Sequence, residues 1–202
     1  METGMFKRLA SIAILAVGFC LIGCNKPTPE QVAERTSLLF RAIENDDMEQ
    51  AKACIKAGAN VNANQGGNGP TPLLYAIQKN RTEMVELLAK SKADLNKASC
   101  ITDRNKWTPL NLACVNDNYD AVAILIKYGA DVNAKDETGH TPLMRVRSGT
   151  VAEMLIKSGA DVNAKDNNGV SALYHANYKS KDRFFRPNEG IIAQLLAAGA
   201  TE

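Results

Sequence analysis

Aromatic residues make up only 5% of the 202-residue chain, which has one Trp, two His and five Cys. Five cysteines are too sparse for a disulfide-dense scaffold, and their odd number demands a separate account of each. Neither sign of charge dominates, since 24 Lys and Arg face 22 Asp and Glu for a net charge of +2. With 45% hydrophobic residues, that balance argues against a dedicated polyanion binder, an acidic tail protein or a disordered chain. Catalytic signatures are missing too: there is no Gly-Lys-Ser/Thr phosphate loop and no Gly-x-Ser-x-Gly elbow. His140 and His175 lie in separate stretches, and neither is followed at metal-ligand spacing by another His or Cys. Runs such as Asp166-Asn167-Asn168-Gly169 lack the calcium-loop ligand ladder ending in Glu, so they read as turns. No catalytic residue, cofactor, metal or small-molecule substrate is expected.

The longest apolar run, Leu9 to Gly23 broken only by Ser11, falls short of the about 20 residues that span a bilayer. It follows Lys7 and Arg8 and suits a secretory signal of about 7–15 apolar residues. Met5, directly before the basic pair, is an alternative start to Met1. Leu21-Ile22-Gly23-Cys24 resembles the lipobox of bacterial lipoproteins. That resemblance implies that residues 1–23 are removed, that Cys24 is the lipidated residue, and that several acyl chains hold the protein at a membrane. Asn25, in place of Asp, leans towards the periplasmic face of the outer membrane over the inner membrane. Residues 24–35, with Pro27 and Pro29, read as a tether.

What fills the rest is repetition. Thr71-Pro72-Leu73, Thr108-Pro109-Leu110 and Thr141-Pro142-Leu143 recur, with weaker copies at Ser37-Leu38-Leu39 and Ser171-Ala172-Leu173. A second phrase closes the copies: Gly58-Ala59-Asn60-Val61-Asn62, Ala93-Asp94-Leu95-Asn96, Gly129-Ala130-Asp131-Val132-Asn133 and Gly159-Ala160-Asp161-Val162-Asn163. Thr then Pro is a helix N-cap followed by a first residue that needs no amide donor. Apolar stripes mark a second helix in each copy: Val85, Leu87, Leu88; Val122, Leu125, Ile126; Met154, Leu155, Ile156; Ile192, Leu195, Leu196. Gly58, Gly129, Gly159 and Gly199 suit a left-handed cap after it. Two phrases in fixed order, about 33 residues apart, resemble the ankyrin repeat family. The resemblance covers about Thr36 to Ala200. It implies an all-α solenoid of about five helix–turn–helix repeats with protruding turns, over 37–69, 70–106, 107–139, 140–169 and 170–202, in a domain of 36–202.

Departures from the family pattern are informative. The family's His after Thr-Pro-Leu, which ties neighbouring repeats, is replaced by Leu74, Asn111, Met144 and Tyr174. Lys92 stands where the capping Gly belongs. Repeat four is three residues short near Arg145 to Thr150, so its first helix should be short or irregular. Repeat five carries extra residues around Lys179 to Asn188. Cys20 leaves with the signal, Cys54 and Cys114 occupy core positions, and Cys100 lies in an enlarged turn from Lys97 to Trp107. Cys100 is expected as a free thiol, with pairing to Cys114 or to another molecule as the alternatives.

The resemblance also implies where a protein partner docks, namely the turn tips and the middle of each first helix. Carried over residue by residue, these positions are Arg104, Asn105 and Trp107; Glu137, Thr138 and His140; Asn167 and Asn168; and Gln78, Lys79, Val115 and Asn116. Trp107 is either an interface anchor or a cover folded over the next repeat. Lys179 to Arg186, with Phe184 and Phe185, is either an insertion packed on the last helix or a contact for anionic lipid or a partner. The expectation is a monomeric, non-enzymatic, lipid-anchored protein-binding module of the bacterial envelope, contacting no nucleic acid. An immunity-type inhibitor of a toxin or envelope enzyme is the alternative within that frame. A ligand or catalytic pocket combining Arg145, Arg147, His175 and Arg183 is the alternative outside it.

Overall fold

The repeated hydroxyls do what the sequence asks of them. In the computed structural model, which describes residues 26–102, 105–178 and 188–201, Thr71 Oγ1 accepts the amide of Leu74, Thr108 Oγ1 that of Asn111, and Ser171 Oγ that of Tyr174. Each bond satisfies an orphan donor of the helix that follows. The first helices of the repeats are α1 (Pro29–Asn45), α3 (Pro72–Gln78), α5 (Pro109–Val115) and α8 (Ala172–Tyr178). Repeat four replaces its first helix with a single 3₁₀ turn, Pro142–Met144. The second helices are α2 (Met48–Lys56), α4 (Thr82–Lys90), α6 (Tyr119–Lys127), α7 (Gly149–Lys157) and α9 (Glu189–Ala197). An antiparallel hairpin, β1 (Ser99–Thr102) with β2 (Asn105–Trp107), forms the enlarged turn.

Each first helix packs on its own second helix and on the first helix of the next repeat, from α1 through α3, α5 and the 3₁₀ turn to α8. The second helices α4, α6, α7 and α9 stack in the same order. One apolar core therefore runs the length of the array. Leu88, Leu125, Leu155 and Leu195, equivalent residues of successive second helices, have no exposed surface, and Cys54 is buried in the same slot of α2. Cys114 is also buried, so both thiols are core fillers as expected. Burial pushes the Cys114 thiol far above its ordinary value, with the nearby Asp117 adding to it. Cys54, Cys100 and Cys114 are all free thiols.

The second phrase proves to be the mortar between repeats. Asn62 Oδ1 accepts the amide of Asp94, Asn96 Oδ1 that of Asp131, Asn133 Oδ1 that of Asp161, and Asn163 Oδ1 that of Thr201, all at 2.7–2.9 Å. The turn holds each Asn in place, because the preceding Asp or Asn accepts the amide of that same residue. Asn111 takes over the tying role of the missing His, since its Nδ2 donates to His140 O at 2.9 Å. Lys92 adopts the left-handed conformation, with φ 63°. No described helix is long and apolar enough to cross a membrane.

Two readings from sequence change. The stretch 24–35 is not a tether throughout: α1 starts at Pro29, capped reciprocally by Thr28 and Gln31. Thr28-Pro-Glu-Gln31 is a capping box, and its Pro is a helix starter. The last apolar stripe is also narrower than expected, since Leu196 is 55% exposed while Leu195 is fully buried. Residues 1–23, expected as a signal, with Cys24, and the segment Lys179 to Arg186, lie outside the described residues.

The 3₁₀ turn has a measurable consequence. Thr141 Oγ1 caps nothing and is buried without a hydrogen-bond partner among the described residues. Thr108 Oγ1, by contrast, bonds the Asn111 amide at 3.1 Å. Removing a capping hydroxyl costs about 1 kcal/mol, whereas replacing an unpaired buried hydroxyl by an apolar isostere is about neutral. Thr108→Val is therefore expected to lower the denaturation midpoint in urea and Thr141→Val to leave it unchanged or raised. Equal losses at the two positions refute this account of the turn.

Candidate functional site

The turns that enter repeats four and five share one construction. Asp136 Oδ1 accepts the amides of Thr138 and His140 at 2.9 and 3.0 Å, and Asp166 Oδ1 accepts those of Asn168 and Val170 at 2.8 and 3.0 Å. Both carboxylates are buried, with side chains 2% and 1% exposed. The second oxygen of each faces the residue nine positions later, in the repeat that the turn enters. Arg145 Nη2 and Nε reach Asp136 Oδ2 at 2.6 and 3.1 Å, and His175 Nε2 reaches Asp166 Oδ2 at 3.1 Å.

Stacking joins the two units. His140 sits between them, with its Nε2 3.5 Å from Asp166 Oδ2 and its Nδ1 3.8 Å from Asp136 Oδ1. The imidazoles of His140 and His175 lie 4.7 Å apart between centroids, tilted by 46°. At the other end the Arg145 guanidinium lies over the Trp107 indole, 4.5 Å from its centroid. A ladder thus runs across three repeats: Trp107, Arg145, Asp136, His140, Asp166, His175.

Its electrostatics follow from the contacts. Burial alone raises the Asp136 carboxyl, but hydrogen bonds from Thr138 and Arg145, with the charge of Arg145, bring it below the usual carboxylate range. Asp166 is likewise lowered, its burial outweighed by the amides of Val170 and Asn168 and by His175. His140 is held below the ordinary imidazole value by burial first, then by Arg145 and His175. It is the neutral imidazole that this environment favours.

The residues expected to face a partner divide. Trp107 is half-buried against the core, so its ring is already engaged within the chain. Thr138 and His140 belong to the ladder. Glu137 and Asn167 are exposed at successive tips, tied by Asn167 Nδ2 donating to Glu137 O, and Asn168 is exposed beside them. Glu137 Oε2 in turn accepts the Lys106 amide at 3.3 Å, bridging to the hairpin. Along the first helices Gln78 and Asn116 are exposed and Val115 half-buried. Lys79 pairs with Glu44 at 3.0 Å and lies over Tyr75. Asn105 is in β2, while Arg104 lies outside the described residues. Of the pocket set, Arg145 and His175 join the ladder, Arg147 is exposed, and Arg183 lies outside the described residues.

Separate repeats did not keep the two histidines apart. Linear spacing missed their approach because stacking sets residues one repeat apart side by side. Together with Asp166 they bring one donor atom each within 4.8 Å of the others. The available signal was the nine-residue offset from turn Asp to basic partner, present in two consecutive copies.

Paired helices, protruding turns and repeat-on-repeat stacking define a helical repeat solenoid. Family models described as "Ankyrin repeats (3 copies)" match residues 17–99 and 39–136, and one described as "Ankyrin repeat" matches 138–167. The chain belongs to the ankyrin repeat family. It is 32% identical over 112 residues to Transient receptor potential cation channel subfamily A member 1 of Drosophila melanogaster, covering 54% of this chain and 9% of that protein. To 2-5A-dependent ribonuclease of Homo sapiens it is 35% identical over 82 residues, 41% of this chain and 10% of that one. To Ankyrin repeat and SOCS box protein 6 of Mus musculus it is 32% identical over 110 residues, 54% and 26% of the respective chains. The chain thus spans about a quarter or less of each of these relatives. The repeats themselves imply a role in protein–protein interaction.

Proposed function

We propose that this chain is a lipid-anchored bacterial envelope protein whose solenoid binds a protein partner and carries out no reaction of its own. The observation that carries this reading is Leu21-Ile22-Gly23-Cys24, a lipobox that follows a short apolar run and precedes little but repeats. Cys24 receives the lipid, and the exposed tip residues Glu137, Asn167 and Asn168, with Gln78, Lys79 and Asn116 along the first helices, face the partner. Those side chains stay exposed even where Lys79, Glu137 and Asn167 also bond across repeats, and a solenoid's turns and inner face are where recognition is open. Affinity on such a surface comes from a few anchors within it.

Cys24→Ser tests the anchor. In cells fractionated into membrane and soluble pools, the variant is expected to lose its lipid-dependent processing and to leave the mature membrane-bound form unpopulated. Unchanged processing and unchanged membrane recovery overturn the lipoprotein assignment.

A further inference from the structure

We propose that His140, Asp166 and His175 form a binding site for a divalent transition metal of the zinc class, with one coordination position open to an outside ligand.

The distances suit a metal. Donors around a tetrahedral zinc at about 2.0–2.1 Å lie about 3.3 Å from one another. Asp166 Oδ2 is 3.5 Å from His140 Nε2 and 3.1 Å from His175 Nε2. One ring nitrogen of each histidine and a carboxylate oxygen of Asp166 lie within 4.8 Å of one another, a spread that a small rotation of a partly exposed imidazole brings to metal-ligand spacing. Two imidazoles and one carboxylate favour zinc over magnesium or calcium, which prefer all-oxygen sites.

Counting protons gives an independent reason. Thr138 Oγ1 lies 2.5 Å from Asp136 Oδ1, so its single proton goes to that carboxylate. The same oxygen accepts from Arg145 Nη2 at 3.0 Å, and its remaining lone pair meets His140 Nδ1. Nδ1 must therefore carry the His140 proton. In the neutral ring, the Nε2 lone pair then lies 3.5 Å from the Asp166 carboxylate, one acceptor beside another. A cation between them resolves the conflict. A second proton on His140 would also resolve it, setting an imidazolium ring 4.7 Å from that of His175.

The surroundings complete the arrangement. His140 Nδ1 is held by Thr138, which is held by Asp136, which is held by Arg145, a chain that fixes the tautomer in which Nε2 is free to ligate. His175 donates from Nε2 to Asp166 in the metal-free protein. On binding, Nε2 gives up that proton, which the neutral ring carries on Nδ1 instead. Side chains 15% and 21% exposed at the two histidines leave a path for the ion and for a fourth ligand.

The full chain, solubilised in detergent and stripped with chelator, should bind one equivalent of Zn²⁺ by titration calorimetry. Co²⁺ in its place should give the visible absorption of a four- or five-coordinate site without a thiolate charge-transfer band. His175→Ala and His140→Ala should each weaken Zn²⁺ binding at least 100-fold, while Thr138→Val weakens it about 10-fold. Circular dichroism verifies folding, and His175→Ala, on a half-exposed helical position, keeps the test alive if His140→Ala fails to fold. Absence of Zn²⁺ binding, affinity retained in the histidine variants, or a thiolate band overturns the proposal. Failure of the metal site leaves the Cys24 result untouched, so the two ideas fall separately.

Discussion

Asp136→Ala is expected to destabilise the folded chain by about 3–4 kcal/mol, read as a fall in the urea midpoint at neutral pH. The cost comes from what the side chain leaves behind. Removing one member of a buried ion pair costs about 3–5 kcal/mol because the other charge stays desolvated. Arg145 loses both contacts to Asp136 Oδ2, but its side chain is 19% exposed and it keeps the Trp107 ring, which puts the loss at the lower end. The amides of Thr138 and His140 and the Thr138 hydroxyl lose their acceptor as well. Asp136→Asn retains a carbonyl oxygen for those donors and should cost less than the Ala variant. If Asp136→Ala instead costs under about 1 kcal/mol, in the range of an exposed ion pair, the ladder is a surface decoration and does not hold repeats three, four and five in register.

How much of this was legible depends on how local each constraint is. Thr71, Thr108 and Ser171 each act within one helical turn, so the repeat phrase announces its structure wherever it appears. The same holds for the slot shared by Cys54, Leu88, Leu125 and Leu155, which one helix period identifies as core. The short repeat four was also foreseeable: three missing residues leave room for only a 3₁₀ turn. Thr28 with Gln31 was legible as a capping box and was masked by Pro27 and Pro29, which suggested an extended tether. The Asn62, Asn96, Asn133 and Asn163 ties were visible as a recurrent letter, but their acceptor role towards the next repeat needs the stacking distance. The ladder was hardest to see, because it depends on superposing consecutive copies. Asp136 to Arg145 and Asp166 to His175 repeat one offset, whereas His140 meets His175 only because one repeat lies on the other.

That stacking makes the middle of the array its most sensitive point. Leu125→Ala should destabilise the chain by about 2–5 kcal/mol, the range for a fully buried Leu whose removal leaves a cavity. Leu125 has no exposed surface and lies on α6, which packs against α4 on one side and α7 on the other. A solenoid's stability is a sum of weak repeat terms and favourable interface terms, so a cavity there weakens both junctions of repeat three at once. Leu196→Ala is the matched control: the same atoms are deleted from a position 55% exposed on the last helix, and surface changes of this kind stay within about 0.5 kcal/mol. Amide hydrogen exchange on Leu125→Ala should show protection falling on both sides of α6, in α4 and in α7, while α1 and α2 at the far end of the array change least. Uniform loss across all five repeats would mean that the array unfolds as one cooperative body, with the energy of each interface far exceeding the deficit of any single repeat. A loss confined to α6 itself would mean the opposite, that the repeats carry their stability internally and the shared core contributes little.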